Sequence, residues 1–179
     1  MDIENILHEY DEMIARGQLQ EAVGYLEKQA AECVKDGEST SAITIFNELE
    51  GFWRVAGDKA KSYAAAEAAL GLIASCGMEG SIGHATTLLN YATAKTAFGE
   101  VKEALELYHR VMKIYDWQLP EDDYRYAGLY NNMAQSLLRV NDVKSAGEYF
   151  AKSLEMLKKM QDVESETATC HANLAICLM

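Results

Sequence analysis

A single proline, Pro120, interrupts 179 residues, and long stretches are rich in alanine, leucine, glutamate and lysine. With so little to break it, helix is favoured nearly everywhere. Basic runs are also missing: 28 acids against 16 lysines and arginines leave a formal net charge of −12. Affinity for nucleic acid rests on Lys and Arg neutralising phosphates, so neither nucleic acid nor an anionic membrane is expected as a direct partner. No apolar run approaches the roughly 18 residues that suggest a membrane span. The opening "MDIENILHEY" has neither the basic start nor the apolar block of a secretory signal. These absences together predict a cytoplasmic location.

Chemistry-bearing patterns are equally scarce. Cys33, Cys76, Cys170 and Cys177 form no C-x-x-C pair and read as free buried thiols in a reducing compartment. Cys170 stands beside His171, but neighbours on a helix point about 100° apart and no second ligand pair accompanies them. Neither metal nor cofactor is expected. His8, His84, His109 and His171 are scattered without a shared partner, and "GMEGSIG" at 77–83 lacks the Lys-Ser/Thr ending of a phosphate loop. Without nucleophile and base, metal cluster or phosphate cradle, no catalytic residue can be named and no enzyme is expected.

What the chain does have is self-similarity. Aligning Gly99 with Asn141 brings Leu88 onto Tyr130, Tyr91 onto Met133, Ala92 onto Ala134, Ala104 onto Ala146 and Tyr108 onto Phe150, at a period of 42 residues. Phe46, Leu49, Trp53, Gly57 and Ala69 match one period upstream, and a looser copy surrounds Gly17. Each period holds two helical patterns. Tyr130, Met133, Ala134 and Leu137 mark one face of a first helix, and Ala146, Tyr149, Phe150 and Leu154 one face of a second. The joint falls at Gly or Asn, which tolerate the left-handed backbone at a helix C-terminus. Pro120 and the acids after it are expected in the first turn of the fourth unit. Alanines opposite aromatics let paired helices approach closely, and stacking neighbouring pairs completes a core that one pair cannot bury alone.

These residues resemble the tetratricopeptide repeat (TPR), with an aromatic, a large-small pair and a Tyr in its first helix, then Ala and an aromatic in its second. Leu88, Tyr91-Ala92, Ala104 and Tyr108 hold those places, as do Tyr130, Met133-Ala134, Leu137, Ala146 and Phe150. The long period and the segment "PEDDYRYAGLYNNMA" resemble the repeats of kinesin light chains and of bacterial proteins of the same repeat length. The resemblance implies an all-α superhelix, a solenoid of antiparallel helix pairs with about nine helices. A single array is expected, with units near 1–38, 39–80, 81–120 and 121–162 and a partial unit at 163–179. Three places depart from the pattern: Lys95 stands for Tyr, Glu50 for the small residue, and Ser62 with Ala66 for the Ala-aromatic pair.

The resemblance further implies a non-catalytic scaffold or adaptor holding a protein or peptide segment in a groove lined by the first helices. Carried over by position, the groove candidates are Asn47 and Arg54, then Thr86 and Thr93, then Asn131, Gln135 and Arg139. Their amides can donate to and accept from a peptide backbone, and the arginines can hold a carboxylate. Asn90, Asn132 and Asn173 recur in register and are expected to brace adjacent repeats. The Lys and Asn of a chaperone-tail clamp are absent, because Leu7 and Asp11 occupy those places. "NLAICLM" places Leu174, Ala175 and Leu178 on a first helix with no second, so homodimerisation through this end is expected unless a longer array covers it. The alternative reading is a structural or regulatory module, acting by self-association or by controlling another domain, or a bacterial peptide-sensing regulator.

Overall fold

The computed structural model describes residues 2–159 together with Cys170, His171, Asn173, Leu174 and Cys177. Eight helices form from these residues: α1 Ile3–Ala15, α2 Leu19–Lys35, α3 Ser39–Ala56, α4 Lys59–Ser75, α5 Ile82–Ala97, α6 Val101–Gln118, α7 Arg125–Arg139 and α8 Val143–Leu157. The five described residues after 169 are helical too. Most of the ninth helix expected over 163–179, including Ala175 and Leu178, lies outside the described residues. The chain divides into two compact units, Met1–Glu79 with α1 to α4 and Gly80–Met179 with α5 to α8.

Why the helices stop where they do is written in single residues. Gly57 takes φ 79°, and the amide of Asp58 reaches back to the carbonyl of Trp53 at 2.9 Å. That closure satisfies carbonyls the helix end would otherwise leave bare. Asn141 does the same with φ 60°, and the amide of Asp142 donates to Leu137 at 3.0 Å. The expected Gly/Asn joint is therefore a left-handed cap in both units.

Pro120 departs from expectation. It stands ahead of α7 in a turn in which the amide of Asp123 donates to the Pro120 carbonyl at 3.1 Å, and the helix starts only at Arg125. The residue before a proline is driven to extended backbone, and Leu119 at φ −124°, ψ 152° obeys. Of the three acids, Asp123 alone serves the helix start, accepting from the Arg125 amide at 3.0 Å.

Unit 1 packs α1, α2 and α3 around Ile6, Leu26, Ile45 and Leu49, and a smaller cluster of Ile43, Ala69 and Ile73 joins α3 to α4. Unit 2 buries Tyr108 and Phe150 almost completely, with Ala92, Ala104, Ala134 and Ala146 all at 0% exposure. Large against small is the packing the alternation predicts. Cys170 and Leu174 join the cluster around Phe150 and Leu154, and the Cys170 thiol donates to the Phe150 carbonyl at 3.2 Å. Leu174 is thus half-buried within its own chain rather than left as a bare stripe. None of the four cysteines is in a disulfide; Cys33 and Cys170 are buried as expected, whereas Cys76 is exposed because it falls at the end of α4.

Candidate functional site

Of the α3 candidates, Arg54 lies against a buried carboxylate. Glu50 is 1% exposed, 3.5 Å from the Arg54 Nε, and accepts from the Ser62 hydroxyl at 3.4 Å. Two departures from the repeat pattern, Glu50 and Ser62, therefore meet each other. Glu50 Oε2, Asn47 Oδ1 and Arg54 Nε are buried without hydrogen-bond partners. Burial pushes the Glu50 carboxyl up to about 7, against the opposing pull of Arg54 and Ser62. Arg54 turns its Nε toward this internal acid while its side chain stays 30% exposed.

In unit 2 the candidates separate into a braced seam and an open face. Thr93 gives its one hydroxyl proton to the Leu89 carbonyl at 2.9 Å, so the Tyr108 hydroxyl, 3.2 Å away, must donate to Thr93. The Asn132 amide adds a donation to the same oxygen at 3.5 Å, tying α7 to α5. One turn along, Thr96 and Ser136 meet at 2.6 Å. Asn132 braces neighbouring first helices, as expected, and Thr93 belongs to that brace.

Thr86 lies on the open side. It lines a cavity of about 480 Å³ together with Ile82, Leu89, Tyr115, Tyr124, Arg125 and Gly128. Tyr124 is 58% exposed, and the Arg125 guanidinium lies 5.3 Å from its ring centre. A Cβ on Gly128 would meet nothing within 4 Å, so this glycine leaves open space on the face between α5 and α7. Further along α7, Asn131 is half-buried while Gln135 and Arg139 are exposed, each four residues from the last. One helix face thus carries two amides and a guanidinium beyond the cavity.

No family model matches the sequence, and no curated protein matches it. Solved structures do. BtubC (BKLC) from P. vanneervenii superposes with a TM-score of 0.86 at 19% identity, over 98% of this chain and 71% of that one. A Podosopora anserina protein of kinesin-light-chain type, with nearly identical TPR-like repeats, gives 0.77 at 20% identity, over 98% of this chain and 84% of that one. A variant of the latter gives 0.78. The fold is TPR-like.

In a TPR-like frame α5 and α7 are first helices, α6 and α8 second ones. Thr86 then lies on the first helix α5, and Asn131, Gln135 and Arg139 on the first helix α7, beyond the cavity that Thr86 and Gly128 line. The sequence argument missed Tyr124, Arg125 and Gly128. Gly128 left a signal, since a glycine inside a helix costs about 1 kcal/mol relative to alanine and asks for a reason. Among the described residues no group of His, Cys, Asp and Glu could hold a metal ion, and no helix is long and apolar enough to cross a membrane.

Proposed function

We propose that this chain is a non-catalytic scaffold that holds a segment of a partner protein against the α5/α7 face of unit 2, in the cytoplasm. The helix pairs α1/α2, α3/α4, α5/α6 and α7/α8 are its repeat units. The observation that carries the reading is the cavity at Thr86. Ile82 and Leu89 give it an apolar lining, Tyr124 an exposed aromatic edge and Arg125 a cation, the mixture that anchors one side chain of a bound segment. Asn131 and Gln135 then serve the segment's backbone, and Arg139 an acidic side chain or terminus. In unit 1, Arg54 faces Glu50, which leaves it less available to a ligand. A bacterial peptide-sensing regulator would use the same face and differ only in ligand.

Self-association through the C-terminal end is the weaker reading, because Leu174 already packs against the cluster of α8. The test is selection from a random-peptide library on the immobilised chain, repeated with Thr86→Trp/Gly128→Leu, which fills the cavity without changing charge. Enriched sequences retained by the parent and lost by the filled variant are expected. Enrichment that survives the filling, or none above a blank surface, overturns the proposal.

A further inference from the structure

A second concavity lies on another side of unit 2 and is larger, about 810 Å³. Asp116 enters it from the end of α6, Glu121 and Asp122 from the loop before α7, and Glu155 from α8. Tyr126 and Tyr130 of α7 form an aromatic wall, and Lys159 is the one basic side chain among the described residues of the lining. Tyr126 is 4% exposed and donates to Asp116 Oδ1 at 3.0 Å, which fixes both groups. Burial and that carboxylate push the Tyr126 hydroxyl well above its ordinary value, so it stays a donor.

Ring faces continue the wall outward. Tyr126 and Tyr130 have centroids 5.9 Å apart, as do Tyr130 and Tyr149. The Lys152 ammonium already sits 5.8 Å from the Tyr130 ring centre and 5.0 Å from that of Tyr149, inside the range at which a ring quadrupole attracts a cation. Four carboxylates outnumber Lys159 in the lining and Lys152 beyond Tyr130, so the concavity is negative, and a cleft with low-dielectric walls focuses such a field.

Charge selects the occupant. A second copy of this chain brings a net charge of −12 and no basic run, and nucleic acid brings phosphates. Both would be repelled. We propose that this cleft docks a basic, Lys- or Arg-bearing segment of a partner protein, with one cationic side chain against Tyr130 among Asp116, Asp122 and Glu155. The site uses neither the cavity at Thr86 nor its ligand.

Fluorescence anisotropy with labelled octa-arginine, and octa-glutamate as control, tests this at about 0.15 M salt, where diffuse surface charge is largely screened. Glu121→Gln/Asp122→Asn/Glu155→Gln changes only exposed side chains, and circular dichroism checks that helicity is kept. Affinity for octa-arginine should fall about tenfold or more in that variant and by less than about twofold in Glu21→Gln/Glu27→Gln/Glu103→Gln, which removes the same charge elsewhere. Tyr130→Leu should weaken it about threefold with the charge unchanged. Thr86→Trp/Gly128→Leu should leave it unaltered, which separates this site from the α5/α7 face. No saturable binding, or equal losses in the two charge-removing triples, would overturn the proposal.

Discussion

The two units answer the same packing problem with opposite chemistry. One period apart, the buried positions hold Glu50 and Ser62 in unit 1 but Ala92 and Ala104, then Ala134 and Ala146, in unit 2. Alanine lets the helices of a pair close without stranding a polar group. Glu50 instead must be desolvated, and the Arg54 and Ser62 contacts recover only part of that cost, as the unpartnered Oε2 attests. Among its described residues unit 2 buries no carboxylate: its buried polar side chains are His84, Thr87, Thr96, Ser136 and Ser153, and Thr96 meets Ser136 at the seam between α5 and α7. The repeat thus tolerates an ionisable seam where a cation stands four residues on, and the seam makes stability depend on pH.

Moving the acid into the other unit is the severest way to break this comparison. Ala92→Glu places a carboxylate at a site with 0% exposure, and the residue four on is Thr96 rather than an arginine. Unpaired burial and overpacking should cost about 3–5 kcal/mol, read as the loss of the native urea transition.

The pH dependence comes next. Glu50 is raised from 4.5 to about 7 in the folded chain, so the folded state binds its proton more tightly than the unfolded state. Its contribution is fully present below about 4.5 and is lost as pH rises through about 7. Stability of wild type relative to Glu50→Gln should therefore fall by up to about 3 kcal/mol across that window. Urea unfolding of both proteins at several pH values measures it, and a flat difference would deny Glu50 the role.

Making unit 1 resemble unit 2 is gentler. Glu50→Met/Arg54→Leu/Ser62→Ala replaces the whole buried ion pair and its hydroxyl partner with apolar chains and should raise stability by about 1–3 kcal/mol at neutral pH, seen as a higher melting temperature. Thr96→Val, which removes one hydroxyl from the unit 2 seam, should cost about 1 kcal/mol in the same assay. The smallest effect is expected from Asn141→Gly, where relief of the left-handed backbone at φ 60° should add a few tenths of a kcal/mol.

Periodicity made the helices legible because their caps and their large-small pairs repeat at a fixed spacing, as Gly57, Gly99 and Asn141 do. Pro120 stands ahead of α7 rather than in its first turn because the turn it opens, closed by Asp123, is a local hydrogen-bond choice that helical spacing does not encode. Thr86 and Thr93 look equivalent along α5, each a polar residue on one face. What separates them is the arrival of Asn132 and Tyr108 at Thr93, contacts 39 and 15 residues distant. Glu50 and Ser62 were visible as departures, but only the structure joins them. The acidic cleft collects residues from α6, α7, α8 and a loop, so no single stretch of sequence announces it.

The central claim, that the α5/α7 face holds a peptide, is tested most directly by hydrogen–deuterium exchange on the chain with and without a library-selected peptide. Added protection should fall on α5 around Thr86 to Thr93 and on α7 from Arg125 to Arg139, and should vanish in Thr86→Trp/Gly128→Leu. Protection confined to α6 and α8, or to unit 1, would contradict the claim.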